Sequence, residues 1–263
     1  MAHVARNGAS IYWDAIGAGE PLVLIMGLGC SSALWFRLAP RLARRYRVIQ
    51  LDNRGVGNTC VEAEIHTIDD MARDVAAVLD AAGEESTHVL GFSMGGMIAQ
   101  EFALAYPQRV RSLILAATNC GGTESVKAEP AVLELLFTRA DMTPQQNLEV
   151  MVPYVYDAAT PRRLIDEDTG IRLASYPSRR GYMAQLQGLM RWTSHARLPA
   201  LCAPTLVVHG TSDKLVPPQN AEILAHAIRD ARLTILDRAS HMFQTDRLET
   251  TEELVTTFLA EAG

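Results

Sequence analysis

Six short apolar runs alternate along this chain with segments of helical periodicity. The runs are 21–26, 47–51, 87–91, 111–116, 205–209 and 232–236. The segments whose apolar residues have helical spacing are 68–82, 94–106, 219–229 and 251–260. A short, continuous apolar run is typical of a strand buried on both faces, as in a parallel sheet. The alternation therefore predicts an open α/β fold, a mostly parallel sheet with right-handed crossovers and helices on both faces.

The start of the chain departs from this pattern. Residues 3–16 alternate between apolar and polar side chains around Asn7-Gly8. Asn-Gly favours the positive φ angles of a tight hairpin turn, and the alternation is typical of half-buried strands. We therefore expect an antiparallel hairpin ahead of the parallel strands.

One long interval contains no strand-like run. Between about residue 121 and residue 199 we predict four helical segments instead. They lie near 126–139, 143–153, 161–174 and 178–192. An interval of this length is too long for a simple connection between two strands, so it must have packing of its own. We predict a core made of residues 1–120 and 200–263, with residues 121–199 forming a helical cap at the edge of the sheet.

The charge balance limits the partners of the chain. With 24 Lys and Arg against 30 Asp and Glu, the net charge is −6. This argues against a nucleic acid partner, because neutralising phosphates requires clustered basic residues. We find no secretory signal and no apolar run long enough for a membrane helix. We therefore expect a cytoplasmic monomer or homodimer that binds a small molecule and neither nucleic acid nor membrane.

The cysteines do not suggest a metal site. Cys30, Cys60, Cys120 and Cys202 are scattered along the chain without zinc-ligand spacing. Reduced thiols are the default for such a pattern in a cytoplasmic protein. The sequence also lacks HExxH or another cluster with metal-ligand spacing. We therefore predict a protein that uses no metal ion and no other cofactor.

The strongest local signal for chemistry is Gly91-Phe-Ser93-Met-Gly95, which fits G-x-S-x-G. It follows one apolar run and precedes a helical segment, which is the strand–turn–helix order of a nucleophile elbow. A serine in such a sharp turn exposes its hydroxyl, and side chains two residues before and after it would collide. Glycine removes these collisions. Ser93 is thus the candidate nucleophile, and the alternative is a tight turn with an incidental serine.

Other motifs accompany this elbow. They are Gly27-Leu28-Gly29, the turn 52–57, the segment 210–213 and Ser240-His241. Together with the elbow they resemble the α/β-hydrolase superfamily over nearly the whole chain apart from the predicted cap. The chain is most similar to the small capped ester hydrolases and enol-lactonase-like members. The resemblance implies the α/β-hydrolase fold, in which an inserted helical cap covers the edge of a mostly parallel central sheet.

Two residues near the C-terminal end are candidate partners of the nucleophile, because a serine needs an imidazole base and a carboxylate that orients it. His241 follows the last apolar run, where the resemblance places the base. Asp213 follows the preceding run and completes the Ser–Asp–His order of the superfamily. His209 is the competing histidine, interpreted as packed or hydrogen-bonded at a strand end. Asp52 is interpreted as part of a structural turn, and Asp237 lies too close to His241 in the chain.

Two backbone N–H groups are expected to stabilise the oxyanion that forms during acyl transfer. One belongs to Met94, directly after the candidate nucleophile. The other belongs to Leu28, in the loop after the first buried run. Many relatives have His-Gly in this loop, whereas this chain has Met26-Gly27. A backbone donor does not depend on the side chain, so Leu28 is retained, but how the loop is braced stays open.

The predicted cap is rich in methionine, tyrosine and leucine, which favours an apolar pocket above the nucleophile. For each residue, packing onto the core is the alternative. The candidate pocket residues are Met26, Met151, Tyr154, Met183, Trp192 and Met242. For binding a substrate carboxylate, the candidates are Arg54, Arg191 and Lys214.

Together these residues predict a serine-dependent hydrolase of carboxylic esters or lactones with an apolar acyl or alcohol part. The reaction would pass through an acyl-enzyme on Ser93. Carbon–carbon bond hydrolysis, thioester hydrolysis and cofactor-free perhydrolysis remain alternatives, since one triad serves several chemistries. Serine at this position argues, by resemblance, against haloalkane dehalogenase and epoxide hydrolase chemistry. A non-catalytic ligand receptor that keeps the fold is the alternative from a different class.

Overall fold

The apolar runs form one sheet in the computed structural model, which describes residues 2–61 and 66–262. The strands are β1 (Ala2–Arg6), β2 (Ala9–Ile16), β3 (Glu20–Ile25), β4 (Tyr46–Leu51), β5 (Cys60–Val61), β6 (Thr87–Phe92), β7 (Val110–Ala116), β8 (Thr205–Gly210) and β9 (Arg232–Leu236). Their order across the sheet is β1-β2-β4-β3-β6-β7-β8-β9, with β5 paired to β2. From β4 to β9 along this order every pairing is parallel, so the predicted fold class is confirmed.

The predicted hairpin lies at one edge of this sheet. Asn7 has φ 44° and Gly8 has φ 66°, the two positive φ angles of a turn whose twist matches that of the flanking strands. Arg6 and Ala9 pair across the turn, and β1 and β2 run antiparallel. β2 then pairs antiparallel with β4, so the hairpin extends the parallel part of the sheet.

Helices connect the strands. They are α1 (Ala39–Leu42), α2 (Ile68–Ala82), α3 (Met94–Ala105), α4 (Pro130–Thr138), α5 (Pro144–Val155), α6 (Arg162–Ala174), α7 (Arg179–Arg191), α8 (Gln219–Ala227), α9 (Phe243–Asp246) and α10 (Leu248–Ala262). The bounds of α2 are those that its apolar spacing predicted. The side chain of Thr67 caps its first turn, and Gly83 ends it with φ 76°. None of the described helices is both long enough and apolar enough to cross a bilayer.

The sheet separates two hydrophobic cores. Val23 and Ile25 of β3 belong to one core, together with residues of α2, α3 and α8. Leu22 and Leu24 belong to the other, together with residues of α1 and α10. Successive side chains of a strand point to opposite faces, so a strand covered on both sides must be apolar at every position. This explains the continuous apolar runs of the central strands, whereas β9, at the edge of the sheet, is largely exposed.

Four helices, α4 to α7, occupy the long interval between β7 and β8, near the four predicted positions. The two ends of this interval lie side by side. Ser194 N–H donates to the carbonyl of Cys120 at 2.8 Å, and Gly121 forms a β-bridge with Thr193. Adjacent ends allow a helical segment to be inserted while β7 and β8 stay paired. The division of the chain into core and cap stays a prediction.

Candidate active site

Ser93 lies in the sharp turn between β6 and α3. Its backbone has φ 57° and ψ −122°, outside the regions that L-residues ordinarily occupy. A Cβ at Gly91 would lie 2.3 Å from the carbonyl oxygen of Gly95, and a Cβ at Gly95 would lie 2.1 Å from that of Ile25. Both positions therefore require glycine, which is the steric condition of a nucleophile elbow.

Ser93 and His241 line the same cavity, which has a volume of about 570 Å³. Most of its wall is apolar and comes from loops at the carboxyl edge of the sheet and from α4 and α7. Gly27 lies directly against the nucleophile, because a Cβ there would be 2.9 Å from the Cβ of Ser93. A largely apolar cavity with a few polar groups is the usual form of a site for a small organic ligand.

The carboxylate of Asp213 is fully buried and orients His241. Its Oδ2 lies 2.8 Å from His241 Nδ1. Its Oδ1 accepts hydrogen bonds from the N–H groups of Leu215 and Val216 at 2.9 and 2.8 Å. Burial opposes ionisation of Asp213, but the charge and hydrogen bonds of His241 and His209 outweigh it and lower the pKa of Asp213. The carboxylate therefore stays ionised beside the imidazole.

His209, the competing histidine, also binds Asp213. Its Nε2 lies 3.1 Å from Asp213 Oδ2 and 2.8 Å from the carbonyl oxygen of Val216. Both neighbours are acceptors, so we assign a proton to Nε2. The interpretation of His209 as a hydrogen-bonded strand-end residue agrees with this structure. The hydrogen bond between His209 and Asp213 was not predicted. The two residues are four apart in the chain, and that spacing does not show whether their side chains face each other.

The competing carboxylates are placed where they cannot orient the imidazole. Asp52 accepts hydrogen bonds from both Ser32 N–H and Ser32 Oγ at 2.7 Å and from Asn58 N–H at 2.8 Å. It therefore organises a turn, as interpreted from the sequence. The side chain of Asp237 is 84% exposed and lies near Arg238. Asp213 is the carboxylate that the structure brings to His241.

The imidazole of His241 is held in place by its surroundings. Its ring packs against Phe92 with the centroids 5.1 Å apart. Met242 N–H donates to the carbonyl of Val155 at 2.7 Å and so ties this loop to α5. In the part of the chain that the structure describes, no hydrogen bond joins Ser93 Oγ to His241. Catalytic hydrogen bonds commonly tighten only when substrate is bound, so a shared cavity is the geometry to expect beforehand.

Leu28 and Met94, the predicted oxyanion donors, both line the cavity next to Ser93. Met94 is the first residue of α3, where a backbone N–H has no partner within the helix. Among the described residues, neither N–H group has a hydrogen-bond acceptor. Two free N–H groups beside a nucleophile can stabilise a developing oxyanion.

The loop that carries Leu28 is braced from α7. Gly29 N–H donates to Gln185 Oε1 at 2.8 Å, and Gln185 Nε2 donates to the carbonyl of Arg54 at 2.6 Å. From the core side, Asn53 Nδ2 donates to the carbonyl of Met26 at 2.7 Å. These side-chain amides brace the loop from both sides. Gln185 was missed because it lies far along the chain and nothing in the local sequence distinguishes it.

Two of the predicted pocket residues, Met26 and Met242, line the cavity. From α7, the wall contains Leu186, Leu189 and Met190. Met190 is 59% exposed, so this part of the wall borders solvent. The helical spacing of α7 thus identified an apolar face, but the residues that reach the cavity lie at one end of that face.

The other four predicted pocket residues lie elsewhere, which corrects the prediction. Met151 is 1% exposed and belongs to the core beneath α5, against which Tyr154 also packs. Met183 is half-buried on α7, away from the cavity wall. Trp192 packs on the opposite core and donates its indole N–H to Glu101 at 2.7 Å. For Met151, Tyr154 and Trp192, packing onto the core, the alternative considered for cap residues, determines the position.

The predicted carboxylate-binding residues also need correction. Arg54 is buried in an ion pair with Asp74, with two bonds of 2.6 and 2.8 Å, and lies away from the cavity. The other two candidates do not line the cavity either. The cations on the wall are Lys127, Arg139 and Arg172. No sequence signal separates these from the other basic residues, since their position depends on how the inserted helices pack.

The described residues contain no group of three or more His, Cys, Asp and Glu side chains that could hold a metal ion. Cys30, Cys60, Cys120 and Cys202 are free thiols. Cys30 lines the cavity, two residues beyond Leu28. Burial raises the pKa of the Cys120 thiol, which keeps that side chain in its unreactive form.

Several known proteins are similar to this chain over most of its length. The putative carbamate hydrolase RutD of Azorhizobium caulinodans is 29% identical, over 99% of both proteins. A 2-hydroxy-6-oxononadienedioate/2-hydroxy-6-oxononatrienedioate hydrolase of Paraburkholderia xenovorans is 30% identical, over 95% of this chain and 90% of that protein. The solved structure of a thermophilic esterase from Thermogutta terrifontis, with malate bound, has a TM-score of 0.84 at 25% identity. The match covers 97% of this chain and 94% of the esterase chain.

Residues 19–247 match the family described as serine aminopeptidase, S33. This match spans the elbow, the oxyanion loop, the inserted helices and both candidate partners of Ser93. The chain therefore belongs to the serine aminopeptidase S33 family and is a member of the α/β-hydrolase superfamily.

Proposed function

We propose that this enzyme hydrolyses carboxylic esters or lactones with an apolar acyl or alcohol part, through an acyl-enzyme on Ser93. One observation carries the proposal. A serine in a strained elbow shares a cavity with an imidazole whose Nδ1 lies 2.8 Å from a buried carboxylate. This arrangement can activate a hydroxyl for attack on a carbonyl carbon.

In the first half of the reaction, Ser93 Oγ attacks the substrate carbonyl while His241 Nε2 takes the hydroxyl proton. Asp213 accepts from His241 Nδ1–H and stabilises the imidazolium that forms. The carbonyl oxygen becomes an anion between the N–H groups of Leu28 and Met94. When the tetrahedral intermediate collapses, the imidazolium gives its proton to the departing alcohol oxygen, and the acyl group stays on Ser93.

In the second half, water replaces the alcohol. His241 takes a proton from this water, which attacks the acyl carbon, and the oxyanion forms again between the same two N–H groups. The intermediate then returns the proton to Ser93 Oγ and releases the acid. For a lactone the alcohol and the acid are parts of one molecule, so the product is a hydroxy acid. Met26 and Met242 border the apolar part of the substrate.

The relatives support hydrolysis more firmly than they support a particular bond. The esterase of Thermogutta terrifontis agrees with ester cleavage. The RutD relative is named for a carbamate, and the Paraburkholderia relative is named for a dienedioate or trienedioate. The apolar wall of the cavity is the reason for preferring an ester or lactone with an apolar part.

The test combines covalent labelling with turnover. A fluorophosphonate should label Ser93, as located by mass spectrometry of the digested protein. Wild-type protein should hydrolyse 4-nitrophenyl esters of straight-chain acids, and Ser93→Ala should lower kcat by about a thousand-fold or more. Ser86→Ala, remote from the cavity, is the matched control and should retain wild-type rates. Undiminished hydrolysis by Ser93→Ala, or labelling at another residue, would contradict the proposal.

Hydrolysis of a carbon–carbon bond is the second candidate, because of the 30% identity to the Paraburkholderia hydrolase. The compound in that enzyme's name has a ketone but no ester, so its hydrolysis must break a carbon–carbon bond. Comparing two values of kcat/KM distinguishes the two candidates. One is measured for 2-hydroxy-6-oxononadienedioate from the loss of its absorbance, and the other for the 4-nitrophenyl esters. A higher value for the dienedioate would favour the second candidate.

A further inference from the structure

The cavity above Ser93 has a charge opposite to that of the whole protein. The chain carries a net charge of −6. Among the described residues, however, the wall of the cavity contains Lys127, Arg139 and Arg172 and no Asp or Glu. The Nζ of Lys127 is already bound to the carbonyl of Gly122 and to Ser125 Oγ, both at 2.6 Å. The question is therefore what Arg139 and Arg172 bind.

Arg172 on α6 lacks a carboxylate partner. Its Nε is buried and makes no hydrogen bond within the described part of the chain. The carboxylate one turn earlier, Asp168, is already occupied. It accepts from Arg37 at 3.1 Å, from Tyr156 Oη at 3.1 Å and from Thr245 Oγ1 at 2.7 Å. The oxygens of Asp168 are thus bound to other groups, and Arg172 lines the cavity without an ion pair to any described residue, although, against the effect of burial, the charge of Asp168 still raises the pKa of Arg172.

Arg139, just after α4, is in a similar position. It is 6% exposed, and no ion pair with a carboxylate is found for it in residues 2–61 and 66–262. Its Nε donates to Tyr182 Oη at 3.0 Å, and its guanidinium lies 4.9 Å from the centre of the Tyr182 ring. Tyr182 Oη in turn donates to the carbonyl of Leu136 at 2.8 Å. These contacts orient Arg139 and partly stabilise its charge but give it no carboxylate partner.

Both arginines line the same cavity and act on the same tyrosine. Burial raises the pKa of Tyr176, and the charges of Arg139 and Arg172 both act against that rise, so both cations are near this phenol. Tyr182 connects the pair to the loop, because a Cβ at Gly29 would lie 3.1 Å from Cδ2 of its ring. The cations are therefore placed on the side of the cavity that borders the oxyanion donors.

A buried charge without a partner destabilises the folded protein, and two neighbouring like charges also repel each other. An anionic group of the ligand would remove both penalties. Because an arginine presents a planar fork of N–H donors, it binds a carboxylate through two parallel hydrogen bonds. The surrounding wall is mostly apolar, which suits a hydrocarbon chain between this carboxylate and the reacting carbonyl.

We propose that Arg139 and Arg172 bind a carboxylate of the substrate, so that the preferred substrates are half-esters of dicarboxylic acids or other carboxylate-bearing acyl compounds. This inference rests on the proposed function of the Ser93 site. It specifies the substrate class: one end carries the scissile bond at Ser93, and the other end carries a negative charge.

The test compares two esters that differ in whether the far end carries a charge. Mono-4-nitrophenyl adipate has a free carboxylate, and 4-nitrophenyl methyl adipate has the same chain with that carboxylate capped. Wild-type protein should have a kcat/KM at least about tenfold higher for the free acid, the effect expected of a charge-assisted hydrogen bond. Equal values, or a preference for the capped ester, would overturn the proposal.

Arg172→Met and Arg139→Met should each lower kcat/KM for the free acid by about 10- to 100-fold, mainly through KM, and should change it less than about threefold for the capped ester. Arg163→Met is the matched control, because Arg163 lies on the same helix with its side chain 73% exposed. It removes the same charge and should affect neither ester. If the arginine variants lost activity toward both esters equally, the role of the arginines would be structural.

Two further measurements separate this proposal from the proposed hydrolysis. Calorimetry of adipate binding to Ser93→Ala protein needs no turnover, and binding should be lost when Arg172→Met is added. If no ester is hydrolysed but adipate still binds through the arginines, hydrolysis fails and the carboxylate site stands. Arg172→Met should also melt no lower than wild type, since the substitution breaks no ion pair in the part of the chain that the structure describes. A large fall in Tm would count against the proposal.

Discussion

The two sides of the cavity are built differently. On the sheet side, every oxygen of the Asp213 carboxylate accepts hydrogen bonds, and the loop of His241 is tied to α5. On the side of the inserted helices, two arginines lack carboxylate partners among the described residues, and Phe137 and Met190 are 42% and 59% exposed. Groups that perform chemistry must be positioned before the substrate arrives. Groups that select a substrate must keep polar and apolar surface for it to bind.

The largest effect should come from the sheet side, with Asp213→Asn. An amide cannot stabilise the imidazolium of His241 and favours the wrong tautomer, so kcat should fall by about a thousand- to ten-thousand-fold. Steady-state kinetics on a 4-nitrophenyl ester measures this loss. Asp237→Asn is the matched control, because that side chain is 84% exposed, and it should retain wild-type rates. Near-full activity of Asp213→Asn would identify another carboxylate as the orienting group.

The same variant has a pH signature in stability. The pKa of Asp213 in the folded protein lies below its ordinary value of 3.8. A lowered pKa means that the carboxylate contributes stability above its unfolded pKa, and that this contribution is lost as pH falls through the folded pKa. The difference in Tm between wild type and Asp213→Asn should therefore be largest above about pH 4 and shrink in more acidic buffer.

The second prediction concerns the contact between the two sides. Gln185→Leu removes the acceptor for Gly29 N–H and should loosen the loop that presents Leu28 to the oxyanion. We expect kcat to fall by about 10- to 100-fold with a small change in KM, because the transition state alone carries the oxyanion. Gln187→Leu is the control, since Gln187 is exposed on the same helix. A change confined to KM would instead assign Gln185 to substrate binding.

The smallest effect should come from His209→Leu. This variant removes one donor to Asp213 but leaves His241 and both backbone donors in place, so kcat should fall by about 3- to 10-fold. The exposed His226 provides the control variant His226→Leu. If His209 acts through Asp213, adding His209→Leu to Asp213→Asn should cause little further loss. Additive losses would show that His209 acts by another route.

The parts of the sheet side could be proposed from the sequence because each depends on a local pattern. The glycine spacing around Ser93 encodes a turn with its own steric requirements. Asp213 and His241 follow parallel strands whose carboxyl ends must lie at one edge of the sheet. The inserted helices were located correctly, but four of the six predicted pocket residues lie outside the cavity. Helical periodicity shows which side chains share a face and does not show what covers that face.

By itself, the sequence determined the α/β fold, the elbow and the order of the candidate catalytic residues, since short-range sterics and strand order govern all three. Only the tertiary structure decided how the oxyanion loop is braced and which cations reach the cavity. Arg172 differs from other arginines because Asp168 is already occupied by Arg37, Tyr156 and Thr245, which come from three distant parts of the chain. Whether a charge is compensated is settled by packing between such segments, and no local pattern records it.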